Sequence, residues 1–342
     1  MKRRIWQITL ISLLLLLSGA VATRYDAVDA MRLDPIETQE RDLTPLMEPF
    51  SAPISARAPL NYTTVITINT TEDTSGETQT RTCYFTQSPF FAASDGKCNL
   101  RRALVEASHR PMADRPILIK FNLPLTDTHY HADTQTWAIV MDADYSSSSG
   151  GEAIVVGDLD NPANPDSYIT IDGDTQPGGR TTGDPKIVLS STHSFDLVGV
   201  NHNTIRNLAF QGGGGIFLND VSGVGGSNLV EEVWVGLNAA GTEIVPGTNP
   251  DITLAGGGIT IQGDGNTISG TIVTGANSGI SVQGDNNIIQ YNYVGTRGDT
   301  SIPADRLTCV ASNLYNPAQW YGGTGIEFSS GSNNIVRYNT LA

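Results

Sequence analysis

The chain has 342 residues, a formal net charge of −15, 36 glycines and 16% charged residues. Abundant Gly, Asn, Ser and Thr with few aromatics suit many short strands joined by turns. Sparse Lys and Arg on so acidic a chain exclude a nucleic-acid binder, and the acidity speaks for solubility before it speaks for a cation site.

Residues 1–22 read as a signal peptide. Lys2, Arg3 and Arg4 form its basic start, residues 8–17 its apolar core, and Ala20-Val21-Ala22 a small-residue cleavage site. The apolar run is short for a stable span, so the mature chain is expected outside the cell with no membrane span; an uncleaved anchor is the alternative. Residues 23–60, punctuated by Pro35, Pro45, Pro49, Pro53 and Pro59, read as a flexible linker. Export permits disulfides. Cys83 and Cys98 are close in sequence, and a bridge between them would stabilise by about 3 kcal/mol. Cys309 is left over, expected buried and reduced, and three scattered cysteines make no metal site.

Order is expected from residue 63, where apolar residues alternate with Thr through Ile68. Asn61-Tyr62-Thr63 and Asn69-Thr70-Thr71 fit the glycosylation sequon, although turn and strand roles account for both. Leu100, Ala103, Leu104 and Ala107 fall at i, i+3, i+4, i+7, which predicts an amphipathic helix. Asn99 can cap its start, and Pro111 sets its latest end. A strand at Ile117–Phe121 follows, stopped by Pro124.

Asp95-Gly96-Lys97-Cys98-Asn99-Leu100-Arg101-Arg102-Ala103, between two predicted strands, resembles the CSLREA domain of exported bacterial proteins. Asn99 stands where that family has Ser, and Arg102 where it has Glu. The family's Ser-x-x-Glu is a capping box; Asn99 keeps its first half, whereas Arg102 loses the second and puts a cation near the positive helix end. Glu106, one turn on, can partly offset that charge. Ile169-Thr170-Ile171-Asp172-Gly173-Asp174-Thr175-Gln176-Pro177-Gly178 is similar to the strand and turn that follow the cap in such proteins. The resemblance implies a right-handed parallel β-helix, the pectin lyase-like solenoid, with residues 61–124 as an N-terminal cap and 125–342 as the helix.

The repeat supports that fold class. Gly258-Ile259-Thr260-Ile261-Gln262-Gly263-Asp264 recurs 21 residues later as Gly279-Ile280-Ser281-Val282-Gln283-Gly284-Asp285. An Asn followed by apolar residues at +2 and +7 occurs at Asn203/Ile205/Phe210, Asn228/Val230/Val235, Asn266/Ile268/Val273, Asn287/Ile289/Val294 and Asn334/Val336/Leu341. About 21 residues make three short strands and three turns, one coil, so Ile280 is expected over Ile259 at ~4.8 Å. The repeating Asn is expected to take the left-handed conformation at a tight turn and to stack in a ladder. Residues 98–107 are placed to cap the first coil. The sequence stops at Ala342 on the last strand of a repeat, which suggests a longer protein.

Outward positions in the clean coils are Thr260, Gln262, Ser281 and Gln283, poor acids and bases. Arg206 and Arg337 are equivalent in their repeats, with no carboxylate cluster evident beside them. No catalytic residue is assigned. Asp264 and Asp285 should stack one coil apart, holding a Ca²⁺ between them or splaying into water. Asp158, Asp160, Asn161, Asn164 and Asp166 form an oxygen-rich loop of the kind Ca²⁺ takes, without EF-hand spacing. His129-Tyr130-His131, flanked by Asp127 and Asp133, is either a two-His metal face or a solvated loop. The loops after Val235 and Val294 leave at the same point of two coils and should emerge on one side. The second holds Tyr315, Trp320 and Tyr321, which stack on sugar rings or cover the loop's own small core.

The expected protein is an exported, non-catalytic scaffold or cell-surface binding protein with a polysaccharide or cell-surface glycan as partner. It requires no cofactor, and Ca²⁺ is the cation its acidic loops would take. The alternative is a polysaccharide lyase or glycoside hydrolase acting on pectin-like polymers.

Overall fold

The computed structural model describes residues 61–72, 81–84, 91–92, 95–140, 154–156, 167–181, 183–190, 194–211, 215–219, 226–243, 258–274, 278–295 and 324–341. Residues 1–60, Asp158, Asp160, Asp166, Cys309, Tyr315, Trp320 and Tyr321 lie outside them. Three sheets run the length of the described chain, beside a two-stranded one of β2 (Arg81–Thr82) and β3 (Phe91–Ala92). Sheet A comprises β1 (Thr64–Ile68), β4 (Ile117–Phe121), β8 (Ile169–Asp172), β11 (Thr204–Arg206), β14 (Leu229–Glu231), β17 (Thr267–Ser269), β20 (Ile288–Gln290) and β23 (Ile335–Arg337). Sheet B comprises β7 (Ile154–Val156), β10 (Phe195–Val198), β13 (Ile216–Asn219), β16 (Ile259–Gln262), β19 (Ser278–Val282) and β22 (Thr324–Phe328). Sheet C comprises β5 (Tyr130–His131), β6 (Thr136–Val140), β9 (Ile187–Ser190), β12 (Leu208–Gln211), β15 (Trp234–Val235), β18 (Ile272–Val273), β21 (Tyr293–Val294) and β24 (Thr340–Leu341). Every neighbour in these sheets is parallel except the β5–β6 hairpin. The fold is therefore mostly β and solenoid-like: the chain visits B, A and C in turn and advances one strand per coil.

The +2 and +7 apolar positions explain why these residues coil. Ile66, Ile119, Ile171, Ile205, Val230, Ile268, Ile289 and Val336 stack in register along the inside of sheet A. Leu189, Phe210, Val235, Val273, Val294 and Leu341 do the same in sheet C. In sheet B, Ile280 pairs with Ile259 as the 21-residue offset requires. All but the last member of the first two rows are buried. Like sits over like, so each coil finishes the burial that the previous one began.

The corners explain the asparagines. Asn203, Asn228, Asn266, Asn287 and Asn334 each accept, through Oδ1, the backbone N–H one coil back, from Ile169, Asn203, Asn228, Asn266 and Asn287 at 2.8–3.0 Å. A second, shorter ladder runs from Thr271 to Asn292 to Asn339 at the next corner. The left-handed conformation falls elsewhere than expected. It belongs to the preceding residue, His202, Ser227, Gly265, Asn286 or Asn333, with φ between 55° and 68°. The ladder Asn is thus retained for its carboxamide, which satisfies a buried amide that no strand can reach. Gly284 shows how closely the coils approach: a Cβ there would lie 2.1 Å from the Gly263 carbonyl oxygen.

The helix α1 (Leu100–His109) rests on the first coils with Leu100, Ala103, Leu104 and Ala107 buried. Asn99 caps it by accepting the Arg102 amide at 2.8 Å. Residues 61–124 also supply β1 and β4, so this segment contributes coils as well as the helix. Cys83 and Cys98 form a disulfide with Cα atoms 4.9 Å apart. Asn69 grips the same region, accepting the Cys98 amide and donating to the Gly96 carbonyl, which commits both ends of this sequon side chain. Arg115 is buried and donates to the carbonyls of Ala107, Arg110 and Ser167 at 2.9, 3.1 and 2.6 Å. It ties the helix C-terminus to the coil below.

Arg102 does not sit idle at the helix start. Its guanidinium folds back onto Asp95 in a two-pronged pair at 2.9 and 3.1 Å and donates to the Lys97 carbonyl. The Arg102 hydrogen bond holds the Asp95 carboxyl down at about 2. A depressed carboxylate contributes stability above its unfolded pKa and loses it as pH falls through the folded one. The wild-type advantage over Asp95→Asn should therefore be full above about pH 4 and vanish toward pH 2. Urea unfolding of both proteins across that range checks it; a pH-independent difference would contradict the pair.

Candidate functional site

Outward positions on sheet B form two regular rows. Asp196, Phe217, Thr260, Ser281 and Glu327 lie in one register row, and Val198, Asn219 and Gln262 in a second row two residues on. Gln283 extends the second row, its amide donating to the Ile261 carbonyl and its Oε1 accepting from Gln262 Nε2 at 3.3 Å. Phe217, Thr260, Ser281, Asn219 and Gln262 are half-buried, and Gln283 and Glu327 are exposed. The face thus offers a phenyl ring, two hydroxyls and three carboxamides at ~4.8 Å intervals along the axis. Groups that donate and accept at once fit a ligand bearing many hydroxyls.

Asp196 opens the row. Burial pushes its carboxyl up, partly offset by a Ser194 hydrogen bond, and its Oδ1 is buried without a hydrogen-bond partner. Glu327 lies four strands away in the same row. At ~4.8 Å per strand the two are ~19 Å apart, beyond the ~5–10 Å at which paired carboxylates cleave glycosidic bonds.

Both long insertions leave sheet C at equivalent points. Gly236 after β15 and Gly295 after β21 have φ of 85° and 86°, and the chain rejoins sheet B at β16 and β22. The described part of the first loop folds on itself and is held by Trp234 and Arg180. Asn238 Oδ1 accepts the Thr242 and Glu243 amides at 2.9 and 3.3 Å, while Gly241 lies against the Trp234 ring. Arg180 donates to the Ala239 carbonyl with its guanidinium 5.6 Å from the Trp234 ring centre. Trp234 serves as the rest on which this loop lies.

Of the remaining sequence candidates, Asp264, Asp285, Asp127 and His129 lie among the described residues and make contacts that hold the fold. Asp264 Oδ1 accepts the Asp285 amide at 2.7 Å, and Asp285 Oδ1 accepts the Ser332 amide at 2.6 Å. One oxygen of each is thereby used to hold the next coil. His129 Nδ1 lies 2.8 Å from the Thr71 hydroxyl, which donates to Asp127. Burial works to raise the Asp127 carboxyl, but the Thr71 and His129 hydrogen bonds prevail and leave it lowered. This trio fastens residue 71 to the turn before β5. Among the described residues no group of three or more His, Cys, Asp or Glu is placed to hold a metal ion.

Arg206 differs from its sequence description. It bonds Asp172 at 2.7 Å and lies in register between Asp172 and Glu231 on the outside of sheet A. Burial opposes its charge, Asp172 more than offsets that, and its pKa is raised. Glu232 is pushed up by burial and then by the Glu231 charge. Asp172 was hidden because its coil lacks the Asn motif, so no repeat alignment sets it beside Arg206. Phe217 and Asp196 were missed likewise, since intervals of 25 and 38 residues between successive ladder Asn obscure which strands adjoin.

Comparison with models of protein families, with curated proteins and with solved structures finds no match. No described helix is long and apolar enough to cross a membrane.

Proposed function

We propose that this protein is an exported right-handed parallel β-helix, capped by a CSLREA-like segment, that binds glycan outside the cell without cleaving it. The observation that carries this reading is the outer face of sheet B, where Phe217, Thr260, Ser281, Asn219, Gln262 and Gln283 stand in two parallel rows. Their strand spacing is close to the rise of one sugar unit in an extended polymer. A ring face can stack on sugar C–H groups, and paired carboxamides can take neighbouring hydroxyls. Right-handedness rests on the general preference of parallel crossovers, and export on the basic-apolar-small start of the chain. The wide separation of Asp196 and Glu327 weighs against acid/base hydrolysis on this face.

Purified mature protein should retain a polysaccharide in affinity electrophoresis without releasing reducing or unsaturated ends. The double variant Gln262→Ala/Gln283→Ala should weaken retention by about tenfold, the equivalent of ~1.4 kcal/mol. Release of sugar ends would replace this reading with the lyase or hydrolase one, and retention unchanged by the variant would move the site elsewhere.

A further inference from the structure

We infer that the ligand of the sheet B face is an uncharged glycan and that polyuronates are rejected there. The inference rests on the glycan-binding reading and specifies its ligand. The described outward residues of β10, β13, β16, β19 and β22 include Asp196 at one end of the row and Glu327 at the other, with phenyl, hydroxyl and carboxamide groups between. A chain of uronic acids laid along this row places a carboxylate on nearly every strand. Each would lose water against groups that carry no positive charge, and a desolvated carboxylate without a cationic partner is strongly disfavoured. The formal net charge of −15 adds a long-range barrier to its approach.

The described guanidinium groups of these coils do not change this. Arg206 and Arg337 stand on the outside of sheet A, where Arg206 is bonded to Asp172 and Arg337 to Gln290 at 2.7–2.9 Å. Neutral sugars meet the opposite situation. Their hydroxyls match Thr260, Ser281 and the Gln262–Gln283 pair without leaving a charge unpaired, and Phe217 supplies an apolar plane. Charge along one sheet face therefore sets the class of polymer.

The test compares a neutral β-glucan or xylan with polygalacturonate of similar length, at low and high salt, on the wild type and on Thr260→Arg/Glu327→Gln. Wild type should hold the neutral polymer with little salt dependence and polygalacturonate at least about tenfold more weakly. The double variant adds a cation and removes an acid on this face, so it should gain salt-sensitive polygalacturonate binding by about tenfold or more. Equal wild-type affinity for both polymers overturns this inference while leaving glycan binding intact. No gain in a folded double variant also overturns it. Failure of the wild type to bind any glycan removes both.

Discussion

Replacing Arg115 by Met should destabilise the protein by about 3 kcal/mol or more. The guanidinium donates to the carbonyls of Ala107, Arg110 and Ser167, and more distantly to that of Ser108 at 3.5 Å. Hydrogen bonds from a charged donor are worth about 1.5–3 kcal/mol each, and a buried acceptor left alone costs about 1–3 kcal/mol. Met keeps most of the volume, so the loss reports on the bonds rather than on a cavity. The cation also sits at the negative end of α1, where the helix field favours it. Hydrogen exchange should show α1 opening first while β16 to β20 keep their protection, because a solenoid coil depends mainly on its neighbours. A loss under about 0.5 kcal/mol, the range of an ordinary surface change, would show that the helix is anchored by its apolar face alone.

Asn266→Ala tests the ladder in the middle of the solenoid and should cost about 2–4 kcal/mol. Asn266 is fully buried; its Oδ1 accepts both the backbone and side-chain N–H groups of Asn228, and its Nδ2 donates to Asn287 at 3.2 Å. Ala leaves the Asn228 amide without its acceptor and opens a small void. Since coils couple only to their neighbours, unfolding should also lose cooperativity, with the two sides of the damaged coil melting separately. Gln262→Ala, one corner away but facing outward, should change stability by less than about 0.5 kcal/mol. Equal effects of the two substitutions in urea unfolding would deny the ladder its role.

Much of this was legible in the sequence, for a physical reason. A solenoid interior demands like residues at fixed offsets, so the apolar residues two and seven after each Asn identify the sheet A and sheet C interiors directly. The helix was equally legible, because Leu100, Ala103, Leu104 and Ala107 satisfy a helical period and Asn99 caps it. The role of the ladder Asn was harder. Sequence shows an Asn at a turn, but only the structure shows that Gly265, and not Asn266, takes the positive φ. The Arg102–Asp95 pair was hidden by its context, since the expected capping box has Glu where Arg102 stands. Outward residues obey no such demand. Thr260, Gln262, Ser281 and Gln283 could be assigned to the surface from the clean repeat, yet their alignment with Asp196 and Phe217 depends on which strands adjoin across insertions of unequal length.

That alignment is what the functional account depends on, and backbone hydrogen exchange with and without a neutral β-glucan tests it most directly. The account predicts added protection concentrated in β13, β16 and β19 and in the corner residues Gly263 and Gly284, with sheet A unchanged. Protection confined to the 236–243 loop, or to the outside of sheet A around Arg206, would contradict it.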